Sequence, residues 1–406
     1  MKNYQIDNPK NNYKNIIHAF FLALAITIAE PSTVLPLMIH HFSENLILVG
    51  LFSSLLRGGA IAIQLYAAFH AVAYERVLPY IRKVFFFRWF SWFFIGFAIL
   101  IFGDEHKTLT LISIGIGLFF FSFTAGFGAI YFKELQAKLF SKEYRGKTMA
   151  NRQVAGSIAS IISGGITGFV LTNFEAPLNY AYLFMVSSLL MAIGFVAFIT
   201  IEEPPKKKVL QKEKNFKKFL AKALTILKSN RAFQKQILVI FLSFSYFLSM
   251  PFVILNANNS FTLSGTMLGG FIMLQMVGSI LGSTFLWRKI SNYNKMLSLS
   301  IFFMINAFVI ALFADSLFFY GAIFLLFGIA LDGLSIAGMN LVIELAPEEE
   351  RPIYTAVQTN LVSIGLFFPI LGGVLLSVFG SYSAIYLLTI GLLSLAFLLS
   401  LKLKTV

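Results

Sequence analysis

Three ionisable residues stand alone deep in long apolar stretches of the sequence: Glu30, Arg57 and Asp332. A charge near the centre of a bilayer costs about 2.5 to 3.5 kcal/mol on insertion scales, so such a residue usually faces a cavity or a partner. Glu30 lies about 12 Å from the outer end of the first apolar stretch, and Arg57 about 16 Å into the second from the same side. An arginine side chain can bridge that difference, which makes an ion pair feasible. The pair could be a gate or coupling pair, because neutralising one member releases the other; the alternative is a permanent tie between the first two helices. Asp332 is set among Gly328, Gly333 and Gly338, with no basic residue at its depth. A lone carboxylate there suits a group that takes up and releases a proton or cation, and the alternative is a hydrogen-bonded structural aspartate.

Helix breakers accompany these charges. Pro31 and Pro36 interrupt the first apolar stretch and Pro251 the seventh. A proline inside a span frees carbonyls that need water, ligand or side-chain partners. Ser243, Ser245, Tyr246, Ser249 and Asn256 on the seventh stretch, with Ser122 and Thr124 on the fourth, supply donors and acceptors near the midplane. Gln275 and Asn306 are read as interhelical hydrogen-bonding residues. Arg88 and Arg152 are placed near the basic ends of their helices, where snorkelling or phospholipid contact suffices. His40 and His41 point in different directions on a helix and are read as interfacial caps.

The elements that carry these residues follow from composition. Of the 406 residues 58% are apolar and 12% charged, and the mean hydropathy is +0.80. A spanning helix takes about 20 mostly apolar residues, so the chain suffices for about twelve. Apolar stretches run from 15 to 38, 46 to 70, 84 to 102, 109 to 132, 148 to 171 and 180 to 201. After a charged segment they resume at 237 to 255, 261 to 286, 296 to 313, 317 to 343, 354 to 379 and 383 to 401. Backbone groups in hydrocarbon must be paired within the segment, so these are helices. Lys2, Lys10 and Lys14 before Ala23-Leu24-Ala25 mimic a secretory signal, but the apolar run continues past Ala25 and is read as the first span.

The net charge of +14 suggests a polyanion partner only until the basic residues are mapped. They crowd the connections on one face, and only Lys107 lies in the opposite connections, so both termini are expected in the cytoplasm. The segment 202–236 is the one long linker. Phe216, Phe219, Leu220, Ala223, Leu224 and Leu227 recur there at helical spacing among lysines, which predicts an amphipathic helix on the anionic inner leaflet or under the bundle.

The two halves repeat. Glu143-Tyr144-Arg145 aligns with Glu349-Glu350-Arg351, Ala150 with Ala356, Ser157-Ile158 with Ser363-Ile364, and Gly164-Gly165 with Gly372-Gly373 after a short slip. Two parallel six-span halves joined by a basic linker resemble the major facilitator superfamily of secondary transporters. The resemblance covers the whole chain and implies an all-α integral membrane protein, with twelve transmembrane helices in two pseudo-symmetric six-helix bundles, residues 1–201 and 237–406. It places Glu30 and Asp332 on helices lining the family's cavity, and implies a cytoplasmic conformational latch at Glu75, Arg76, Glu143, Arg145, Glu349 and Arg351. The latch departs from the family pattern, because the stretch 71–84 lacks its glycines, and no branch of the family can be assigned.

The chain has no cysteine, which removes thiol chemistry and Cys-ligated metals. With no phosphate-binding glycine loop, H-E-x-x-H or nucleophile elbow, no catalysis, cofactor, metal or nucleic-acid partner is expected. The resemblance implies a monomeric transporter in a bacterial-type cytoplasmic membrane, with a small-molecule substrate, a coupling ion such as the proton, and membrane lipids as partners. The alternative is a receptor, scaffold or lipid-handling protein on the same fold.

Overall fold

The computed structural model describes residues 6–28, 30–71, 74–206, 216–347 and 351–403. Among them there is no strand, and ten helical stretches are long and apolar enough to cross a membrane. The first two crossings are each built from two helices in series, α1 (Pro9–Ile28) with α2 (Val34–Phe42) and α3 (Leu46–Gly58) with α4 (Ile61–Ala71). Then follow α5 (Leu78–Phe102), α6 (Lys107–Leu139), α7 (Lys142–Asn173) and α8 (Leu178–Ile199). The amphipathic segment is helical as α9 (Phe216–Ser229) and packs on α10 (Arg231–Ser243). Span seven continues through a 3-10 turn (Phe244–Leu248) into α11 (Met250–Phe261), with Pro251 in its first turn. After α12 (Gly265–Leu281), α13 (Tyr293–Phe313) and α14 (Leu317–Leu345), span eleven repeats that pattern: α15 (Arg351–Val362), a 3-10 turn (Ser363–Phe367), then α16 (Phe368–Phe379) with Pro369 in its first turn. The last helix is α17 (Tyr382–Ser400), giving twelve crossings in all.

The chain divides into two compact units. The first comprises Met1–Glu30 and Leu55–Lys214, and the second Pro31–Ser54 and Asn215–Val406. In the first, α1 packs on α7 and α8, and α5 on α6 and α8. Trp92 is fully buried there; its indole Nε1 donates to Ser187 Oγ at 2.7 Å, and Ser187 Oγ donates to Ala25 O at 2.6 Å, tying spans three, six and one. Such interhelical bonds contribute about 0.6 kcal/mol on average in a membrane, so their role is to set register more than to supply stability. The break between α3 and α4 carries no proline. Ser122 Oγ on α6 accepts the Ala60 N–H at 3.2 Å, replacing an intrahelical bond with one to a neighbour.

In the second unit α14 packs between α12 and α13, and α17 against α10 and α13. The end of span one and the start of span two also belong here: α2 packs on α11, and the backbone around Leu46 lies against Gly373 of α16.

The start of the linker is anchored. Glu203, 4% exposed, takes the place of a helix cap for α5: its two carboxylate oxygens accept the N–H groups of Val77 at 2.8 Å and Leu78 at 2.7 Å. Lys138 Nζ bonds the same carboxylate at 2.7 Å and the Glu75 carbonyl at 2.6 Å. Asn11 clasps the Glu202 backbone through both its amide nitrogen and oxygen. Removing one member of a buried ion pair leaves the other charge stranded, at a cost of about 3 to 5 kcal/mol. Glu203→Ala is therefore expected to destabilise the first unit by about 3 kcal/mol, measured by unfolding in micelles. A change within error would show that the clasp contributes nothing.

Candidate functional site

The site with the most chemistry lies in the second unit between α12 and α14. Gln275, Ser279 and Ser283 follow one another at four-residue spacing along span eight, which puts them on one face. Gly328 and Asp332 have the same spacing on α14. Gly328 lets the helices meet, since a Cβ there would overlap the Gln275 carbonyl. Immediately after α12 the chain forms a π-helical turn, Gly282–Leu286, a departure that is frequent at functional positions. This turn carries Ser283 towards Asp332, and Trp287 fastens it by donating Nε1–H to Ile329 O at 3.1 Å.

Asp332 is half-buried and hydrogen-bonded to the side chains of Ser283 and Ser279. Among the described residues it has no cationic partner. Ser283 Oγ is also 2.7 Å from Ser279 O. A hydroxyl carries one proton and can accept as well as donate. With Asp332 ionised, Ser283 donates to the carboxylate; with Asp332 protonated, the acid donates to Ser283 Oγ, which turns its own proton to the Ser279 carbonyl. The same heavy-atom arrangement thus serves both protonation states. Further along the face, Gln275 Oε1 accepts from Ser32 Oγ at 3.0 Å, a bond from span eight to the turn between α1 and α2. Asn306 instead bonds its own helix, at Phe302 O.

Glu30 is buried, 8% exposed, in the break between α1 and α2, and Arg57 is half-buried at the end of α3. Both belong to the first unit and each has an interaction partner. Each stands within three residues of the point where the chain passes to the second unit, at Glu30 to Pro31 and Ser54 to Leu55. Beside these crossings the hydroxyls of Thr33, Ser53 and Ser54 are buried without a partner, a feature that residue type alone does not signal.

Most of the other polar candidates are used within their bundles. Thr124 Oγ1 donates to Phe120 O at 2.7 Å, and Ser243 Oγ to Ile240 O at 2.6 Å. Ser249 Oγ is 2.6 Å from Thr389 Oγ1, and Asn256 Nδ2 donates to the Tyr320 hydroxyl at 3.0 Å. Tyr246 is buried beside Phe247, while Ser245 Oγ in the same 3-10 turn is buried without a partner. Of the latch residues, Glu75 and Arg76 are exposed, and Glu75 contributes its carbonyl to Lys138 and to the Lys206 N–H. Arg145 Nη2 donates to Phe140 O at 3.2 Å. Glu349 and the side chains of Glu143 and Arg351 lie outside the described residues.

Two arginines differ from the snorkelling expected of them. The Arg88 guanidinium lies 4.3 Å from the Phe121 ring centroid, and that of Arg152 4.6 Å from Phe132. A cation–π contact offsets about 0.5 to 2 kcal/mol, less than the membrane cost of a central charge. Arg152 also donates to the backbone and side-chain oxygens of Asn15, whose amide is paired with Gln136 at 3.0 Å.

Comparison with known proteins agrees with this architecture. No curated protein matches the chain by sequence. Among solved structures, the nucleoside transporter NupG superposes with a TM-score of 0.69 at 14% identity, over 97% of this chain and 98% of that one. The POT family transporter PepTSo gives 0.70 at 14% identity, covering 98% and 97%. The human organic anion transporter MFSD10 gives 0.65 at 14% identity, covering 98% and 100%. At such identities the likeness is one of fold. The sequence profile of the Major Facilitator Superfamily matches residues 17–368, and the chain belongs to that family.

Proposed function

We propose that the chain is a secondary active transporter that moves a small molecule by alternating access, with a proton coupled through Asp332. The observation that supports this reading is the relay from Asp332 on α14 through Ser283 in the π-helical turn to Ser279 on α12, which accommodates a protonated and an ionised carboxylate without rearrangement. A membrane-buried acid with no fixed cation is the kind of group a carrier can load and unload once per cycle. The test is a thermal-shift screen of small molecules on the purified protein, since a ligand that binds only the folded state raises its stability. The molecules that bind are then followed into proteoliposomes under an imposed pH gradient. Binding without flux would sink the transport reading, and flux that ignores the pH gradient would sink the coupling.

In this reading Glu30 and Arg57 pair in at least one transport state and act as a gate or coupling pair. A double-mutant cycle of Glu30→Gln and Arg57→Gln, read as transport rate, is expected to give a coupling of about 0.5 to 3 kcal/mol, the range for residues in contact. Additive effects would separate the two. The basic connections support a topology in which both termini and the linker 202–236 face the cytoplasm, in a membrane of the bacterial inner type. Reporter fusions after Asn45 and Lys107 are expected to read outside, and one after Val406 inside; the reverse pattern would invert the assignment.

A further inference from the structure

The first unit holds a cluster that the coupling mechanism does not use: Arg88 on α5, Arg152 on α7 and His18 on α1. Each arginine sits about 15 Å along its helix from the first residue, Leu78 or Lys142. A guanidinium has five N–H donors and no acceptor. Among the described residues none of the Arg88 donors meets an acceptor, and its Nε is buried without a partner. Both terminal nitrogens of Arg152 are 3.4 Å from His18 Nδ1. Arginine can only donate, so Nδ1 accepts and the ring proton is on Nε2, which is also buried without a partner.

Phenylalanine rings join the three residues. Phe195 lies 5.9 Å from the Arg88 guanidinium and 5.9 Å from the His18 ring, and Phe132 lies 4.6 Å from Arg152 and 6.3 Å from His18. No carboxylate among the described residues pairs with either arginine. Arg152 Nη1 is already engaged by the Asn15 oxygens; at Arg88 the rings cover the faces of the guanidinium but supply no acceptor for its edge, the part that matches the two oxygens of a carboxylate or phosphate. We infer that Arg88, Arg152 and the Nε2–H of His18 form a binding site for an oxyanion, a carboxylate or phosphate group, with the surrounding phenylalanines receiving an apolar or aromatic body. The oxyanion belongs either to a soluble molecule or to an anionic lipid headgroup. The inference does not depend on proton coupling or on transport.

The chain carries its own reporter. It has three tryptophans, and the Trp92 ring lies 3.9 Å from Phe121, the ring under Arg88. Wild type in neutral detergent at constant ionic strength is titrated with benzoate, inorganic phosphate and, as a cation control, tetraethylammonium, with tryptophan fluorescence as the signal. In a second arm its melting temperature is compared in phosphatidylcholine nanodiscs with and without phosphatidylglycerol. A saturable response to benzoate or phosphate identifies a soluble ligand, and a higher melting temperature with phosphatidylglycerol identifies a lipid. Arg88→Gln is expected to weaken either effect by about tenfold to a hundredfold, as for the loss of a hydrogen bond to a charged group. Should Arg88→Gln fail to fold, Arg88→Lys decides, since it keeps the charge and removes the planar fork; it too is expected to lose about tenfold. Silence of wild type in both arms overturns the site. So does a response shared with tetraethylammonium, or one undiminished in both Arg88→Lys and Arg152→Gln.

Discussion

Proteoliposomes containing Asp332→Asn are expected to bind substrate and exchange it down its gradient, but to lose accumulation driven by a pH gradient. One pH unit is worth about 1.4 kcal/mol per coupled proton, a tenfold concentration ratio. Wild type is expected to approach about tenfold accumulation per unit, and the variant to remain at parity. Asparagine keeps the size of the side chain and an oxygen that accepts from Ser283, so the α12 to α14 contact survives the exchange. It cannot carry the titrating proton, and the Ser283 hydroxyl loses one of its two alternatives. Ser283→Ala is an informative companion, since it removes the relay while leaving the carboxylate. Accumulation by Asp332→Asn at the wild-type level would assign Asp332 to packing and move the coupling role to Glu30. If Asp332→Asn does not fold, proton uptake by wild type on substrate binding, measured as a function of pH, tests the same claim.

How much of this could be read in the sequence depends on the range of the interaction. The crossings follow from apolar length alone, and the break at Pro251 from proline chemistry. Pro369 carries the same signal inside the eleventh stretch, and its helix has the same 3-10 turn before it. The break at Gly59-Ala60 was not legible, because what stabilises it is a hydroxyl on another helix, Ser122. Asp332 is legible from its isolation, but its serine partners, Ser279 on α12 and Ser283 in the π-helical turn that follows, come from a neighbouring span that no local pattern ties to it. Arg88 and Arg152 were assigned to the membrane surface because position along a helix shows depth and not partners. Glu203 read as part of a charged run; its value lies in two backbone N–H groups more than a hundred residues away, and no local pattern encodes them.

The second large effect is expected at the contact between the first part of span two and span eleven. Gly373 on α16 faces Leu46, and a Cβ there would overlap the Leu46 carbonyl; Gly50 faces the Pro369 carbonyl with equally little room. Both contacts lie within the second unit, to which the segment Pro31–Ser54 belongs. Under the proposed alternating access, opening at this end of the bundle requires this segment to part from α16. A side chain at Gly373 therefore penalises the packed arrangement and leaves the parted one unaffected. Overpacking of this kind costs about 1 to 3 kcal/mol, which shifts the balance about five- to more than a hundredfold towards the parted state. The chain has no cysteine, so Val49→Cys, at a fully buried position beside Gly50, can report the opening through its rate of maleimide labelling. Gly373→Val is expected to raise that rate about tenfold or more, and Gly373→Ala to raise it less. Gly391→Val, at a glycine with nothing near its Cβ position, is expected to leave it unchanged. An unchanged rate in both Gly373 variants would show that the contact relaxes without parting. Equal acceleration in Gly391→Val would point instead to general loosening of the bundle.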